Sequence, residues 1–254
     1  MLKDKVVVVT GGSGLLGGVF CTGIAEEGGV AIIADLDATR GESLAMKITA
    51  SGGRAEFVWL DITDLASVDA LIAGLHARHG RIDAVVNCAY PRNSQWGRPL
   101  EEITYSGFCE NVSSHLGGYF LVAQRFSLYF REHGGGSVVN LSSIYGTMNP
   151  RFELYLGTGM SSSVEYAAIK SAIVQLTRYF AKYFLGDGVR VNTLSPGGIL
   201  DNQAQSFVTR YNEHCGTTGM LEPRDVVGTL IFLLSDASRN ITGQNITVDD
   251  GFSL

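Results

Sequence analysis

The chain has 254 residues, 45% hydrophobic and 17% charged, which is enough apolar material for a well-buried core. A net charge of -6 and a pI near 5.4 argue against a surface built for nucleic acid or anionic lipid, and neither is an expected partner. The N-terminal apolar run is too short for a signal peptide and no segment approaches the length of a membrane span; Cys21, Cys88, Cys109 and Cys215 are scattered without a C-x-x-C. A cytoplasmic protein with reduced thiols and no metal site is expected.

Seven short β-branched runs recur along the chain, at 5–10, 30–35, 55–61, 82–88, 136–142, 189–195 and 244–250, separated by helix-length segments. Runs apolar on both faces that alternate with helices predict an α/β fold, a doubly wound seven-stranded parallel sheet covered on each side. With no internal repeat, charge block or linker, residues 1–254 read as one domain.

Directly after the first run comes TGGSGLLGG, in which Gly12, Gly14 and Gly17 satisfy G-x-G-x-x-G between a predicted strand and a predicted helix. Glycine there lets the chain turn tightly and lets backbone N–H groups approach a pyrophosphate at the positive end of the helix. The second run ends at Asp35, 18 positions after Gly17, close to the spacing at which a carboxylate accepts hydrogen bonds from the adenosine ribose. NAD is therefore expected over NADP: a 2′-phosphate would face Asp35, and neither Ser13 and Leu15 in the loop nor Leu36 after the strand supplies a cation. Asp61, ending the third run, either receives the adenine amino group or caps the next helix, and Asp64 reads as a helix cap.

VEYAAIK, 164–170, contains no proline and predicts a helix that presents Tyr166 and Lys170 on one face, a turn apart. A phenol with a pKa of about 10 is a poor base at neutral pH, and an ammonium beside it stabilises the phenolate. That pairing suits removal of a hydroxyl proton during hydride transfer.

The glycine loop and Asp35, with VVNCA (85–89), NLSSIYG (140–146), Tyr166 and Lys170, VNTLSPGG (191–198) and ITGQNITVDDG (241–251), resemble the short-chain dehydrogenase/reductase family in order and spacing over essentially the whole chain. The resemblance implies a Rossmann-like NAD(P)-binding domain, a homotetramer or homodimer, and a Ser-Tyr-Lys site with an assisting Asn. Carried onto this sequence, it implies catalytic roles for Ser143, Tyr166 and Lys170. Cofactor contacts would come from Gly11, Ser13, Gly14, Leu15, Gly17, Asp35, Leu36, Asp61, Ile62, Asn87, Ala89, Pro196, Gly197 and Ile199, together with Tyr166 and Lys170. Ser143 would hold the substrate oxygen and Lys170 the nicotinamide ribose; Ser142 is the weaker candidate because Ile144, Tyr145 and Gly146 follow Ser143 in the family's frame.

Four positions depart from the family pattern. His115 stands where the assisting Asn is usual, so the imidazole either relays a proton or binds a water, titrating near pH 6 to 7, or is a packed, hydrogen-bonded structural residue; Asn111, one turn earlier, is a partial substitute. Ser143 and Tyr166 are 166 − 143 = 23 positions apart, about twice the family's spacing, which predicts an enlarged substrate loop at about 147–163 and hence a larger substrate. Asp201 replaces a Thr beside the cofactor and is expected to point away or cap a helix. Leu15 replaces a glycine usual in the shorter branch of the family.

Pocket residues are expected beyond the carboxyl ends of strands: Tyr90, Arg92, Asn93 and Trp96, then Tyr145, Arg151, Glu153 and Tyr155, then the loop at about 199–220. Aromatic faces with Arg, Asn and Glu suit a polyhydroxylated or phosphorylated sugar better than a steroid or an acyl chain. AYPRN, HLGGYF and SPGGILDNQ also look like a subgroup found with bacterial flagellin-modification and nonulosonic-acid sugar pathways, which points to an activated sugar. The expected function is NAD-dependent hydride transfer to or from a secondary alcohol or ketone of such a sugar. The alternatives are an epimerase or dehydratase that uses NAD transiently, and a non-catalytic NAD-binding regulator.

Overall fold

A computed structural model describes residues 1–254. All seven predicted strands form, with ends within two residues of those expected: β1 Val6–Thr10, β2 Val30–Asp35, β3 Arg54–Trp59, β4 Ala84–Asn87, β5 Gly136–Leu141, β6 Val189–Pro196 and β7 Asn245–Val248. They pair in parallel in the order β3-β2-β1-β4-β5-β6-β7. The order reverses beside β1, whose neighbours are β2 and β4, and at such a reversal the carboxyl ends of adjacent strands open a crevice.

Helices cover both faces. Val7, Val9, Ala31 and Ile33 point to the side of α1 (Leu15–Glu26), α2 (Ala38–Ala50) and α8 (Val227–Leu234); Val6, Val8, Ile32 and Ala34 point to that of α3 (Leu65–His79), α5 (Gly117–Glu132) and α6 (Val164–Tyr183). This period-2 division of an all-apolar run is what a sheet buried on both faces requires. Caps set the helix starts: Asp37 accepts from the Arg40 amide at 3.0 Å, and Asp64 from the Ala66 amide at 3.0 Å, as the sequence predicts for Asp64.

The helical segment from Tyr105 to Glu132 has three parts. It begins with α4 (Tyr105–Asn111), widens into a π turn at Val112–Leu116 and continues as α5. The π turn admits an extra residue and carries His115.

A buried polar chain locks α6 against the sheet. Asn87 Nδ2 donates to Asn140 Oδ1 (2.8 Å), Asn140 Nδ2 to Thr177 Oγ1 (2.9 Å), and Thr193 Oγ1 to Thr177 Oγ1 (2.8 Å). These bonds link β4, β5 and β6 to the helix that bears Tyr166 and Lys170. At the carboxyl end of β5, Ser142 Oγ donates to the Lys170 carbonyl (2.8 Å). Gly146 makes room for that approach: a Cβ there would sit 2.6 Å from Ser142 Oγ and 2.8 Å from the Lys170 oxygen.

Candidate active site

A cleft of about 1020 Å³ opens at the crevice beside β1 and runs outward between the two predicted substrate loops. Its inner half is built for close backbone approach. Gly11 has φ +65°, and a Cβ on it would lie 2.6 Å from the Ala89 Cα; on Gly17 a Cβ would lie 2.1 Å from the Gly11 carbonyl oxygen. No side chain caps α1, so its N-terminal amides face a position suited to an anion. Asp35 is fixed by the Ser13 amide (3.0 Å), the Ser13 hydroxyl (2.7 Å) and the Asp37 amide (3.1 Å). A glycine loop folded tightly on its own backbone, with the uncapped start of α1 behind it and a pre-oriented carboxylate beside it, fits the dinucleotide implied by the motif.

Of the predicted cofactor residues, Gly11, Gly14, Leu15, Gly17, Asp35, Leu36, Asp61, Ile62, Ala89, Tyr166, Lys170, Gly197 and Ile199 line the cleft. Ser13, Asn87 and Pro196 do not: Ser13 orients Asp35, Asn87 belongs to the buried polar chain, and Pro196 is the buried last residue of β6. Asp61 makes a tight turn, accepting from the Thr63 amide and hydroxyl at 2.8 and 2.7 Å, while its residue still borders the cleft. Two expectations are corrected. Arg40 lines the cleft near Asp35, so a cation is present after all, although Asp37 pairs with it at 3.0 Å. Asp201 borders the cleft and caps nothing; Ala204 precedes α7 (Gln205–Asn212) without a side-chain cap.

At the far end of the inner half, α6 presents Tyr166 and Lys170. The buried Lys170 Nζ donates to the Leu141 carbonyl at 2.8 Å, which leaves two of its three N–H donors for the cleft. It lies 5.8, 5.5 and 5.6 Å from the ring centres of Tyr90, Tyr119 and Tyr166. Cation–π attraction offsets part of the cost of burying the charge. Burial still lowers its pKa to about 8, opposed by the nearby Cys88.

Lys170, expected to make the phenol acidic together with the positive nicotinamide ring of NAD+, does not do so alone. Burial dominates and raises the Tyr166 pKa, the hydrogen bond with Ser143 opposes it, and Tyr155 adds to the rise. In the chain alone the phenol is a stored acid, and its ionisation needs a further positive charge. Ser143 lines the cleft and also accepts from the Tyr145 amide at 3.2 Å; Ser142 Oγ is committed to the Lys170 carbonyl.

His115 is fully buried, packed among Tyr90, Trp96 and Tyr119 at 5.3, 6.4 and 5.1 Å, and neither ring nitrogen has a hydrogen-bond partner in the protein. Burial, then the Lys170 charge, lowers its pKa to about 2. The ring is neutral at physiological pH, so titration near pH 6 to 7 is corrected; it is packed as the structural alternative expects, but no protein group hydrogen-bonds it. Asn111 cannot stand in for the missing Asn. Its Oδ1 accepts from the Asn93 amide (3.0 Å), and its Nδ2 donates to Asn93 Oδ1 (3.0 Å) and to the buried Glu165 (3.2 Å).

That network also removes Asn93 from the substrate list. Its side chain is spent on Asn111, Gly107, Glu110 and Gln95, and it holds the loop after β4 against α4. Tyr90, Arg92, Tyr145 and Tyr155 line the cleft; Trp96 and Arg151 do not. Trp96 packs behind Tyr90 and Tyr166, and the Arg151 guanidinium lies over Phe252, 5.4 Å from its ring centre.

Sequence reading missed the individual residues of the second loop, notably Gln203, Phe207, Tyr211 and Met220. Phe207 and Tyr211 are four positions apart on α7, an apolar helical pair that the periodicity of a short helix does reveal. Tyr211 accepts from the Gly198 amide at 2.6 Å and stacks on the fully buried Phe252 at 4.0 Å.

A family model described as enoyl-(acyl carrier protein) reductase matches residues 16–253. The chain is 40% identical over 256 residues to the post-translational flagellin modification protein A of Campylobacter coli, covering 100% of both. A short-chain dehydrogenase from Leptospira borgpetersenii with bound NAD+ superposes with a TM-score of 0.85 at 30% identity, covering 100% of this chain and 94% of that one. A gluconate 5-dehydrogenase from Burkholderia cenocepacia in complex with NADP and tartrate gives a TM-score of 0.88 at 25% identity, covering 99% and 96%.

The two buried bases lead to stability and titration predictions. Lowering Lys170 from 10.5 to about 8 costs the unliganded chain roughly 3 kcal/mol below that pH. The folded state sheds its proton first, so the penalty is full below the folded pKa and fades as pH rises from about 8 to 10.5. After about 1 kcal/mol for the Leu141 carbonyl left unpaired, Lys170→Met is expected to stabilise the unliganded chain by about 2 kcal/mol at pH 7, measured by urea denaturation. The gain should vanish toward pH 10. The His115 ring resonances should stay flat from about pH 5 to 8 in NMR titration; a transition there would contradict its neutral burial.

Proposed function

The chain belongs to the short-chain dehydrogenase/reductase family, whose members use NAD(H) or NADP(H), and on that premise we propose that it moves hydride to or from a secondary alcohol or ketone of a sugar derivative with NAD as its nucleotide. The observation that carries this reading is the cleft itself, where the glycine loop, Asp35, Tyr166, Ser143 and Lys170 border one continuous space. A bound oxidised nicotinamide supplies the hydride acceptor and the further positive charge that the buried phenol requires.

The protein's own groups divide the remaining work. Ser143 Oγ holds the substrate oxygen beside the Tyr166 hydroxyl, and Tyr166 takes the hydroxyl proton on oxidation or gives it on reduction. Lys170, anchored on Leu141, directs its two remaining N–H donors to the cofactor ribose. His115 does not line the cleft; neutral and without a protein partner on either nitrogen, it offers one donor and one acceptor to a buried water behind Tyr90 and Tyr119. Its role is to hold, since it carries no ionisable proton at neutral pH.

Several features support a polyhydroxylated substrate. The outer cleft is bordered by Tyr145, Tyr155 and Tyr211, by Gln203 and Asp201, and by Arg92, whose guanidinium lies 4.8 Å over the Tyr90 ring. The relative named for flagellin modification and the structure named for gluconate are consistent with that class. For assembly, exposed Phe120, Tyr179 and Tyr183 on α5 and α6 support pairing of these helices between subunits.

The test is a panel of nucleotide sugars, sugar phosphates, gluconate and a hydroxysteroid, followed by NADH absorbance. A sugar should release NADH stoichiometrically, and Tyr166→Phe should lower turnover about a thousandfold while NAD binding persists. Turnover without net NADH supports transient oxidation, and reaction of the steroid alone overturns the substrate class. For the nucleotide, Asp35→Ser should cut the preference for NAD over NADP by about tenfold or more in binding titrations. A parent chain that already prefers NADP, using Arg40, would refute the assignment.

A further inference from the structure

Besides the packing of Leu154, Tyr155 and Met160 and the Arg151 guanidinium over Phe252, the loop of residues 147–163 sends two side-chain hydrogen bonds of its own to other segments, Tyr155 Oη to Tyr145 Oη at 3.3 Å and Ser161 Oγ to the Gly97 carbonyl. Gly157 and Gly159 have φ +71° and +70°, Phe152 and Leu156 are largely exposed, and Leu154 is its one fully buried large side chain. It nonetheless supplies Tyr155 and Met160 to the cleft. A long, glycine-bearing loop that forms a wall needs a fastening to outweigh its conformational entropy.

Arg210, on the second substrate loop's helix α7, is placed to be that fastening. Its Nη1 donates to the Glu153 carbonyl at 3.0 Å and its Nη2 to the Leu156 carbonyl at 2.8 Å, while Nε donates to Ser206 of its own helix at 3.0 Å. Both acceptors belong to the 3₁₀ turn Phe152–Tyr155 and the residue after it, where carbonyls lack intrahelical partners. No carboxylate pairs with Arg210. One planar fork thus grips two carbonyls of the other loop, 57 and 54 positions away in sequence. On the cleft side of this clamp Tyr155 meets Phe207, with ring centres 5.2 Å apart.

We propose that Arg210 is a positioning residue that fastens the 147–163 loop to α7, so that the two loops act as one wall and set the shape of the substrate half of the cleft. This rests on the reading of that half as a substrate site. An ammonium reaches only one carbonyl at a time, so lysine would not replace the fork. The clamp's hydrogen bonds run to Ser206, Glu153 and Leu156, none of which lines the cleft, and the glycine loop follows β1 while Asp35 ends β2.

Hydrogen exchange on the NAD+-loaded chain tests it. In Arg210→Ala, amides of 152–160 should exchange faster while those of 11–18 and NAD+ affinity stay unchanged; added guanidinium ion should restore protection and ammonium ion should not. For whichever panel sugar the parent turns over, KM should rise about tenfold with kcat within about threefold. Unchanged exchange in 152–160, or a fall in kcat with KM intact, would overturn the clamp. Should Arg210→Ala lose NAD+ binding through misfolding, Arg210→Lys decides by the same exchange readout. That readout needs no substrate, so a panel without turnover defeats the substrate reading while exchange still judges the clamp.

Discussion

Two hydrogen bonds running in opposite directions between the end of β5 and Lys170 hold the site together. The Lys170 ammonium donates to the Leu141 carbonyl, and the Lys170 carbonyl accepts from Ser142, the residue that follows. They tie side chain and backbone of one helical residue to consecutive positions of the strand end. The helix can then neither roll nor slide relative to the sheet, and Tyr166, one turn earlier, is held beside Ser143. Gly146 and the Asn87–Asn140–Thr177 chain extend the same constraint along the sheet.

The anchoring carries an electrostatic cost. A buried ammonium with a single carbonyl partner and three aromatic rings for neighbours is poorly solvated, and its lowered pKa records that. The Tyr166 phenol and the His115 imidazole, in the same enclosure, are likewise pushed toward their neutral forms. The unliganded site therefore holds one strained cation and two neutral groups without their full complement of partners, an arrangement suited to receiving a polar ligand. Local destabilisation at a reacting centre is tolerable because the sheet around it is buried on both faces.

The outer half follows a different logic. Its residues come from loops, and their geometry is decided by contacts distant in sequence: Phe252 stacked under Tyr211, Arg151 over Phe252, Arg210 on Glu153 and Leu156. The inner half uses backbone and glycine, which recognise what dinucleotides share. The outer half is lined by loop side chains, the kind of surface that varies from one relative to the next.

The strands and their positions were legible from the sequence because each is a short apolar run bounded by helices, and so were the glycine loop, Asp35 and the Tyr166–Lys170 pair, whose meaning depends on local spacing. Tertiary packing alone decided the rest. It placed Asn93 and Asn111 in each other's grip, kept Arg151 and Trp96 out of the cleft, brought Arg40 to its border and left His115 neutral. Spacing along a chain determines which side chains share a face; the protonation state of a buried group and the partners of a polar one depend on everything packed around them, which no local pattern encodes.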